Sequence, residues 1–235
     1  MDWQALALSL RLAGLTALLL LLISLPLARL LAWRHFAGKS LLEAIITLPL
    51  VLPPTVLGYY LLVAFGRDTG LGQVFQTWTG TTLAFSFSGL LIASLISSLP
   101  FALQPMLRAF ETIPMDLREA AWCSGLSRWQ TFRRIELPLA RNGILTALVL
   151  SFAHTLGEFG VVLMVGGNIP GTTRTLSIAI YDRVQAFDDQ AAGLMSLALL
   201  AVSFLTISLV YALNRHPART PFRPKTGQRL PGPLL

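Results

Sequence analysis

Residues 118–138 read REAAWCSGLSRWQTFRRIELP, a charged segment that lies between two long hydrophobic blocks. Glu119 opens a helical run, Gly125 interrupts it, and a second run leads to Pro138. Glycine readily adopts the left-handed conformation at which one helix ends, and proline fits the first turn of the next helix, where no NH donor is needed. The segment therefore predicts a short helix, a turn and a second short helix, with a new segment beginning at Pro138.

The side chains of this segment suit protein docking better than catalysis. Ala120 and Ala121 are small and allow a partner's surface to approach the backbone, while Trp122 and Trp129 offer large apolar anchors. An ordinary amphipathic linker helix is the alternative interpretation of the same pattern. The position of the segment between two candidate membrane spans favours docking.

The composition of the chain is that of a membrane protein. Of its 235 residues, 54% are hydrophobic and only 12% are charged, and the mean hydropathy is +0.66. A soluble domain has more polar surface than this, so we expect a polytopic protein in a lipid membrane. The net charge of +7 is interpreted as membrane topology, because the basic residues are concentrated in a few hydrophilic gaps and the tail. We therefore expect no nucleic-acid partner.

Five hydrophobic segments are long enough to cross a bilayer, which takes about 20 helical residues. They cover approximately residues 6–31, 43–66, 84–106, 141–166 and 191–213. Lipid offers the backbone no hydrogen-bond partner, so segments of this length are expected to be helices. The predicted fold is an all-α membrane helix bundle, with one transmembrane domain over residues 1–214. The basic, proline-rich tail at 215–235 is expected to be disordered.

The distribution of basic residues predicts the orientation in the membrane. The gap at 34–42, the loop at 111–138 and the tail hold most of the lysines and arginines. The positive-inside rule places these regions in the cytoplasm. With five spans, Met1 is then periplasmic and Leu235 cytoplasmic.

Prolines interrupt the second hydrophobic segment, at Pro49, Pro53 and Pro54. They remove backbone hydrogen bonds and predict a bend or an unwound stretch, which a membrane tolerates only against other protein or a water-filled cavity. Two interpretations remain open, a kink that serves packing and a broken helix that lines a transport pathway. For the second interpretation, the candidate pore or gate residues are Thr47, Pro53 and Pro54.

Polar side chains also occur within the third and fourth segments. Serines in the third segment allow close helix packing, and Ser94 is retained as a candidate pore residue. His154 and Glu158 are four residues apart and share one helical face. An ionisable pair at this depth indicates a functional site by default, so both are candidate pore or gate residues. A mutually satisfied pair that holds the bundle together, or a Glu158 near the outer surface, is the alternative.

The sequence assembles none of the sites that an enzyme needs. Residues 37–40 read AGKS, like the end of a phosphate-binding loop, but Trp33 stands where the leading glycine is required. The single cysteine, Cys123, excludes an intrachain disulfide and a cysteine-based metal cluster. We therefore predict no catalytic residue, no metal site and no cofactor bound by this chain, so that energy for any transport comes from another chain.

The segment at 118–138 resembles the EAA loop of ABC-importer permeases at each of its fixed positions: Glu119, Ala120 and Ala121, then Gly125, then Ile135 to Pro138. Residues 38–62 and 154–182 resemble conserved blocks of oxyanion-importer permeases, in particular the bacterial molybdate permeases. The resemblance implies the type I importer fold, in which this loop forms a coupling helix seated on an ATP-binding subunit. The coupling residues it implies are Glu119, Ala120, Ala121, Gly125, Arg128, Ile135 and Pro138, with Arg133 at the rim.

The resemblance also implies partners and a function. It implies a homodimer in the bacterial inner membrane, two cytoplasmic subunits that bind ATP and Mg²⁺, and a periplasmic substrate-binding protein. The implied function is import of an oxyanion by alternating access, with molybdate as substrate and sulfate, thiosulfate or tungstate as alternatives. A secondary transporter without ATPase partners is a further alternative, which predicts inverted repeats and an ion-coupling carboxylate. A pure membrane scaffold is the third alternative, and the proline-broken second segment argues against it.

Overall fold

A computed structural model describes residues 1–34 and 36–213, and within these ranges all regular structure is helical. The predicted tail at 215–235 lies outside the described residues. The helices are α1 (Trp3–Trp33), α2 (Lys39–Val51), α3 (Pro54–Ala64), α4 (Gly70–Thr79), α5 (Phe87–Glu111), α6 (Met115–Cys123), α7 (Arg128–Thr131), α8 (Leu137–Gly157), α9 (Gly160–Gly166), α10 (Leu176–Gln185) and α11 (Asp189–Leu213), and a π-helical segment at Phe132–Glu136 joins α7 to α8.

Four stretches of the described chain are helical, apolar and long enough to cross a membrane: α1, α5, the run Arg128–Gly157 and α11. Helices α2 and α3 together form a fifth candidate, bent by 112°. The all-α bundle predicted from the sequence is therefore confirmed.

The bend between α2 and α3 lies at the predicted prolines. Leu52 and Pro53 are extended, with ψ of 138° and 134°, and α3 begins at Pro54. A proline disfavours the helical conformation of the residue before it and donates no hydrogen bond to the preceding turn. Two consecutive prolines therefore end one helix and begin the next, which confirms the prediction of a broken segment.

The fourth hydrophobic segment differs from its prediction as one helix over residues 141–166. The helical run ends at Gly157, Glu158 is extended with ψ of 132°, and α9 begins at Gly160. The Glu158 side chain accepts a hydrogen bond from the Val161 NH at 3.1 Å. Such a bond between a side chain and the nearby backbone competes with helix continuation, and the flanking glycines have low helix propensity.

Pro138 lies in the first turn of α8, as predicted, but no break in the helical run precedes it. It is the second residue of α8, inside a helical run that is continuous from Arg128 to Gly157. The preceding turn is π-helical, and the Leu137 NH bonds to the Phe132 carbonyl oxygen, five residues back. The wider turn accommodates the missing NH and the ring of the proline, which would interrupt a regular α-helix.

The centre of the bundle is formed by α1, α5 and α8. Leu12 and Leu31 of α1, and Met106 and Phe110 of α5, are at most 1% exposed. The contact between α5 and α8 is close at Gly143, where a Cβ atom would lie 2.6 Å from the carbonyl oxygen of Pro105. Helices in a membrane associate through such small residues, because lipid removes the hydrophobic driving force.

Candidate coupling segment and pathway site

Gly125 ends α6 in the conformation that the sequence predicts. Its φ is +83°, its NH donates to the Trp122 carbonyl oxygen at 2.9 Å, and the Leu126 NH donates to the Ala121 carbonyl oxygen at 3.0 Å. These two bonds form a Schellman motif, which satisfies the last carbonyl groups of the helix. The predicted interruption at Gly125 is therefore confirmed.

A capping box starts the helix on the other side of this turn. The Gln130 NH donates to the Ser127 hydroxyl at 3.3 Å, and the Ser127 NH donates to the Gln130 side-chain oxygen at 2.8 Å. The two reciprocal bonds fix the direction in which α7 leaves the turn. Residues 115–131 thus form a helix, a defined turn and a second helix.

Helix α6 has one outward face. Asp116, Glu119, Ala120 and Cys123 are exposed, and their spacing of i, i+3, i+4 and i+7 places them on one side of the helix. Ala121, in contrast, is only 5% exposed. We call these four exposed residues the outward face of α6; it gives a partner access to Glu119 and Ala120 but not to Ala121, whose small side chain packs inside this chain.

The other predicted coupling residues lie beyond this face. Gly125, Arg128, Arg133 and Pro138 are exposed, and Ile135 is half-buried. Among the predicted anchors, Trp129 is 67% exposed and Trp122 is half-buried. The start of α7 therefore presents an exposed aromatic and basic surface of its own.

Two arginines bind one buried carboxylate behind this turn. Glu136, in the π-helical segment, is 0% exposed. Its carboxylate accepts from Arg29 Nε of α1 at 2.6 Å and from Arg118 Nε of α6 at 3.0 Å. The Arg118 guanidinium lies 3.7 Å from the centroid of the Trp33 ring, a favourable cation–π geometry. We call Arg29, Arg118 and Glu136 the arginine–glutamate clamp; it ties three helical segments together.

Sequence reasoning assigned no role to the clamp. Glu136 is part of the EAA-like pattern, Arg118 counts toward the positive-inside bias, and Arg29 lies inside the first predicted span. Charges are rare in a membrane span and are usually paired there, so Arg29 was the available signal. Its partner Glu136 lies 107 residues away in the sequence, and Arg118, which binds the same carboxylate, lies 89 residues away; their proximity is visible only in the fold.

His154 and Glu158 form a connected polar cluster between α5 and α8. His154 Nε2 lies 3.5 Å from Glu158 Oε2, and His154 Nδ1 lies 3.0 Å from the Ser98 hydroxyl. That hydroxyl is also 2.9 Å from the Thr155 hydroxyl, and the Phe101 ring stacks on the imidazole with centroids 4.0 Å apart. Every member has a partner, as expected for a pair that holds the bundle together, and Glu158 is 8% exposed.

The two broken segments of the bundle meet near this cluster. A Cβ atom at Gly160 would lie 2.7 Å from Pro54 Cβ, and one at Gly58 would lie 2.8 Å from Met164 Cβ. The start of α3 therefore packs directly on the start of α9, two residues after Glu158. Irregular backbone is tolerated at membrane depth where it is covered by protein in this way.

The remaining candidate pore residues lie on α2, at the break between α2 and α3, and on α5. The Thr47 hydroxyl accepts from Gln104 Nε2 of α5 at 3.3 Å, a partner that sequence reasoning did not single out. Ser94 is 1% exposed, and its hydroxyl has no hydrogen-bond partner among residues 1–34 and 36–213. Pro54 approaches the region of Glu158 through Gly160.

A family model described as "Binding-protein-dependent transport system inner membrane component" matches residues 24–219 of this chain. The match covers the clamp, the outward face of α6 and the His154–Glu158 cluster. The chain belongs to this family. It is accordingly a multi-pass inner-membrane component of a transport system, in agreement with the apolar helices described above.

Curated relatives of this permease include proteins named for molybdenum and for sulfate. The "Molybdenum transport system permease protein ModB" of Azotobacter vinelandii is 45% identical over 217 residues, 92% of this chain and 96% of that protein. Its namesake in Escherichia coli (strain K12) is 39% identical over 89% of this chain and 91% of that protein. A "Probable sulfate transport system permease protein cysT" of Marchantia polymorpha is 32% identical over 83% of this chain and 69% of that protein.

Solved ABC transporters share the fold of this permease. A chain of a bacterial alginate ABC transporter in complex with an alginate-bound periplasmic protein superposes with a TM-score of 0.71 at 22% identity, over 90% of this chain and 77% of that chain. A chain of the MetNI methionine ABC transporter, in inward-facing conformations, superposes with a TM-score of 0.65 at 18% identity, over 92% of this chain and 97% of that chain. The fold is therefore that of type I ABC-importer permeases, as the resemblance of the EAA-like segment implied.

Proposed function

We propose that this chain is the permease subunit of an ATP-driven importer of oxyanions, with molybdate as its substrate. The observation that carries the proposal is 45% identity, over nearly the whole length of both chains, to a protein named as a molybdenum permease. The sulfate permeases are the second candidate, favoured by 32% identity over 83% of this chain. The lower identity and the partial coverage of the sulfate protein make molybdate the first choice.

The chemistry of the central helices suits the passage of a dianion. Residues 143–165 contain no lysine or arginine, whereas a fixed cation in the pathway would hold a dianion too strongly for release. Hydroxyl groups and the interrupted backbone of α2–α3 and α8–α9 offer weaker, neutral hydrogen-bond donors. In this scheme Thr47, Pro53, Pro54, Ser94, His154 and Glu158 border the pathway or its gate.

The outward face of α6 is the proposed seat of a cytoplasmic ATP-binding subunit. The complex then contains two copies of this chain, two ATP-binding subunits that hold ATP and Mg²⁺, and a periplasmic binding protein that delivers the anion. Closure of the ATP-binding subunits moves α6, and the clamp passes the motion to α1 and to the helical run that begins at Arg128. The pathway opens outward, and ATP hydrolysis reverses the change.

The proposed orientation follows from the basic residues. The loop at 111–138 contains Arg118, Arg128, Arg133 and Arg134 and faces the cytoplasm under the positive-inside rule. Met1 is then periplasmic. With Cys123 replaced by serine, labelling of single cysteines introduced at Asp2 and at Ser124 with a membrane-impermeant reagent tests this orientation, since only the first is expected to react in intact cells.

Substrate and energy source are tested together in proteoliposomes that contain the complete complex. Uptake of labelled molybdate is expected to require ATP and the binding protein. Unlabelled molybdate is expected to reduce this uptake more than the same concentration of unlabelled sulfate does. Stronger competition by sulfate than by molybdate would identify sulfate as the substrate instead of molybdate. Uptake without ATP would instead support a secondary transporter and contradict the proposal.

Docking is tested at Ala120, which lies in the outward face of α6. Substitution Ala120→Trp adds a bulky ring at the proposed seat and is expected to abolish copurification of the ATP-binding subunit. The control is Ala7→Trp, because Ala7 is also exposed but lies near the opposite end of the bundle, on α1. Copurification that both variants leave intact would contradict docking at α6.

A further inference from the structure

A cavity of about 790 Å³ lies beside the clamp, between the C-terminal end of α1, α6 and α7. Its wall is aromatic and cationic. Trp33, Trp122 and Trp129 line it, together with four arginines: Arg29, Arg34, Arg118 and Arg128. Tryptophan is enriched where a protein crosses the membrane–water interface, so the lining is that of an interfacial site.

The positive charge of this cavity is only partly balanced. Glu136 is the one carboxylate that Arg29 and Arg118 share. Arg34 and Arg128 have no acidic partner within the described chain, and no Asp or Glu lines the cavity. Four guanidinium groups thus line the cavity and one carboxylate pairs with two of them, so an anion in the cavity would be attracted by the remaining positive charge.

An apolar stripe on α1 leads from the membrane to the same cavity. Leu22, Pro26 and Leu30 are spaced i, i+4 and i+8, and Pro26 and Leu30 line the cavity. Leu22 is 64% exposed and Leu30 is 47% exposed. A ligand that fits both features has an anionic group at one end and a hydrocarbon chain at the other.

We propose that the cavity binds the phosphate headgroup of an anionic phospholipid, with an acyl chain along Leu22, Pro26 and Leu30. The proposal rests on the proposed orientation, because it places the cavity in the cytoplasmic leaflet, where anionic lipids attract basic segments. The guanidinium groups of Arg34 and Arg128 bind the phosphate, and the exposed part of Arg29 contributes. A free phosphate ion would leave the apolar stripe unused.

The tryptophans of the cavity permit a direct test by fluorescence. The chain has five tryptophans, and the two outside the cavity, Trp3 and Trp78, are replaced by phenylalanine. The full chain is placed in phosphatidylcholine nanodiscs, with and without its ATP-binding subunit, and dibrominated phosphatidylglycerol is titrated in. Bromine quenches tryptophan at close range, so dibrominated phosphatidylcholine serves as the measure of unspecific contact.

Quenching by the anionic lipid is expected at a far lower mole fraction than quenching by the neutral lipid. Each arginine near a headgroup changes the affinity by about fivefold. The double variant Arg34→Gln/Arg128→Gln is therefore expected to weaken anionic quenching by on the order of 25-fold. The control is Arg108→Gln, because Arg108 lies outside the cavity and is paired with Glu111 at 2.8 Å.

Four outcomes would overturn the proposal. The first is equal quenching by the anionic and the neutral lipid, and the second is quenching of the Arg34→Gln/Arg128→Gln variant by the anionic lipid as strong as that of the unsubstituted chain. The third is loss of quenching by the anionic lipid when inorganic phosphate is added, and the fourth is the same loss when the ATP-binding subunit is added. The third would assign the cavity to a free anion and the fourth to the protein partner. Transport is measured separately, so a chain that fails to import molybdate but keeps the charge-dependent quenching refutes the proposed function alone.

Discussion

Substitution Glu136→Gln removes the carboxylate that two arginines share, without changing the size of the side chain. Glu136 is 0% exposed, so the variant leaves the buried guanidinium of Arg118 and the partly exposed one of Arg29 without a counter-ion. Breaking a buried ion pair in this way costs about 3–5 kcal/mol. The loss is expected in thermal unfolding of the purified complex, together with weaker coupling of ATP hydrolysis to uptake.

The exposure of the two arginines predicts an order of effects. The Arg118 side chain is 9% exposed, so Arg118→Gln leaves Glu136 with one partner in a dry site and costs about 3 kcal/mol. The Arg29 side chain is 33% exposed, and solvent screening reduces the cost of Arg29→Gln to about 1 kcal/mol.

The control for this series is Glu111→Gln. Glu111 pairs with Arg108 at 2.8 Å on the surface, so its loss is expected to cost less than about 1 kcal/mol. If Glu136→Gln unfolds at the same temperature as Glu111→Gln, or if Arg29→Gln is more damaging than Arg118→Gln, the reasoning from burial is refuted.

Three other substitutions test the turn after α6, the contact between α3 and α9, and the hydrogen bonds between α5 and α8. Gly125→Leu forces a residue with a side chain into the left-handed backbone conformation, which costs about 1–2 kcal/mol, and uptake in proteoliposomes is expected to be lost. The control is Gly80→Leu, because Gly80 has a φ of +70° and the substitution carries the same strain. Uptake by this control is expected to remain intact. Gly58→Val places a Cβ 2.8 Å from the Met164 Cβ of α9 and is expected to lower stability by about 1–3 kcal/mol in thermal unfolding; unchanged stability would contradict the close contact of α3 with α9. Ser98→Ala removes the hydroxyl between two polar groups and is expected to cost about 1–3 kcal/mol, more than Ser94→Ala; equal losses would show that the hydrogen bonds of Ser98 contribute nothing.

Local sequence patterns predicted the features that depend on backbone chemistry. Gly125 ends α6 because a left-handed residue is needed there, and Pro53 and Pro54 break the second segment because they cannot continue a helix. Hydrophobic length identified the apolar segments of an all-α bundle. These signals lie in neighbouring residues, so one sequence was sufficient to read them.

Features that depend on particular side-chain hydrogen bonds and on tertiary packing were missed or misplaced. The Glu158 carboxylate bonds to the backbone of α9 and ends the fourth helix early, although the predicted hydrophobic segment extends to residue 166. Burial of Ala121 depends on how α6 packs, and the clamp joins residues 107 positions apart. None of these contacts has a periodic pattern from which it could be read.

The uninterrupted helical run from the α6–α7 turn to the His154–Glu158 cluster has the geometry of a lever arm. Glu136 and His154 are 18 residues apart in this run, which corresponds to a length of about 27 Å. Pivoting the run by about 5° at the π-helical segment would shift His154 sideways by about 2 Å over that length. A displacement of that size exceeds the tolerance of a hydrogen bond, so a slight rotation at one end of this lever arm would disconnect Ser98 from the imidazole at the other wherever α5 does not follow the movement.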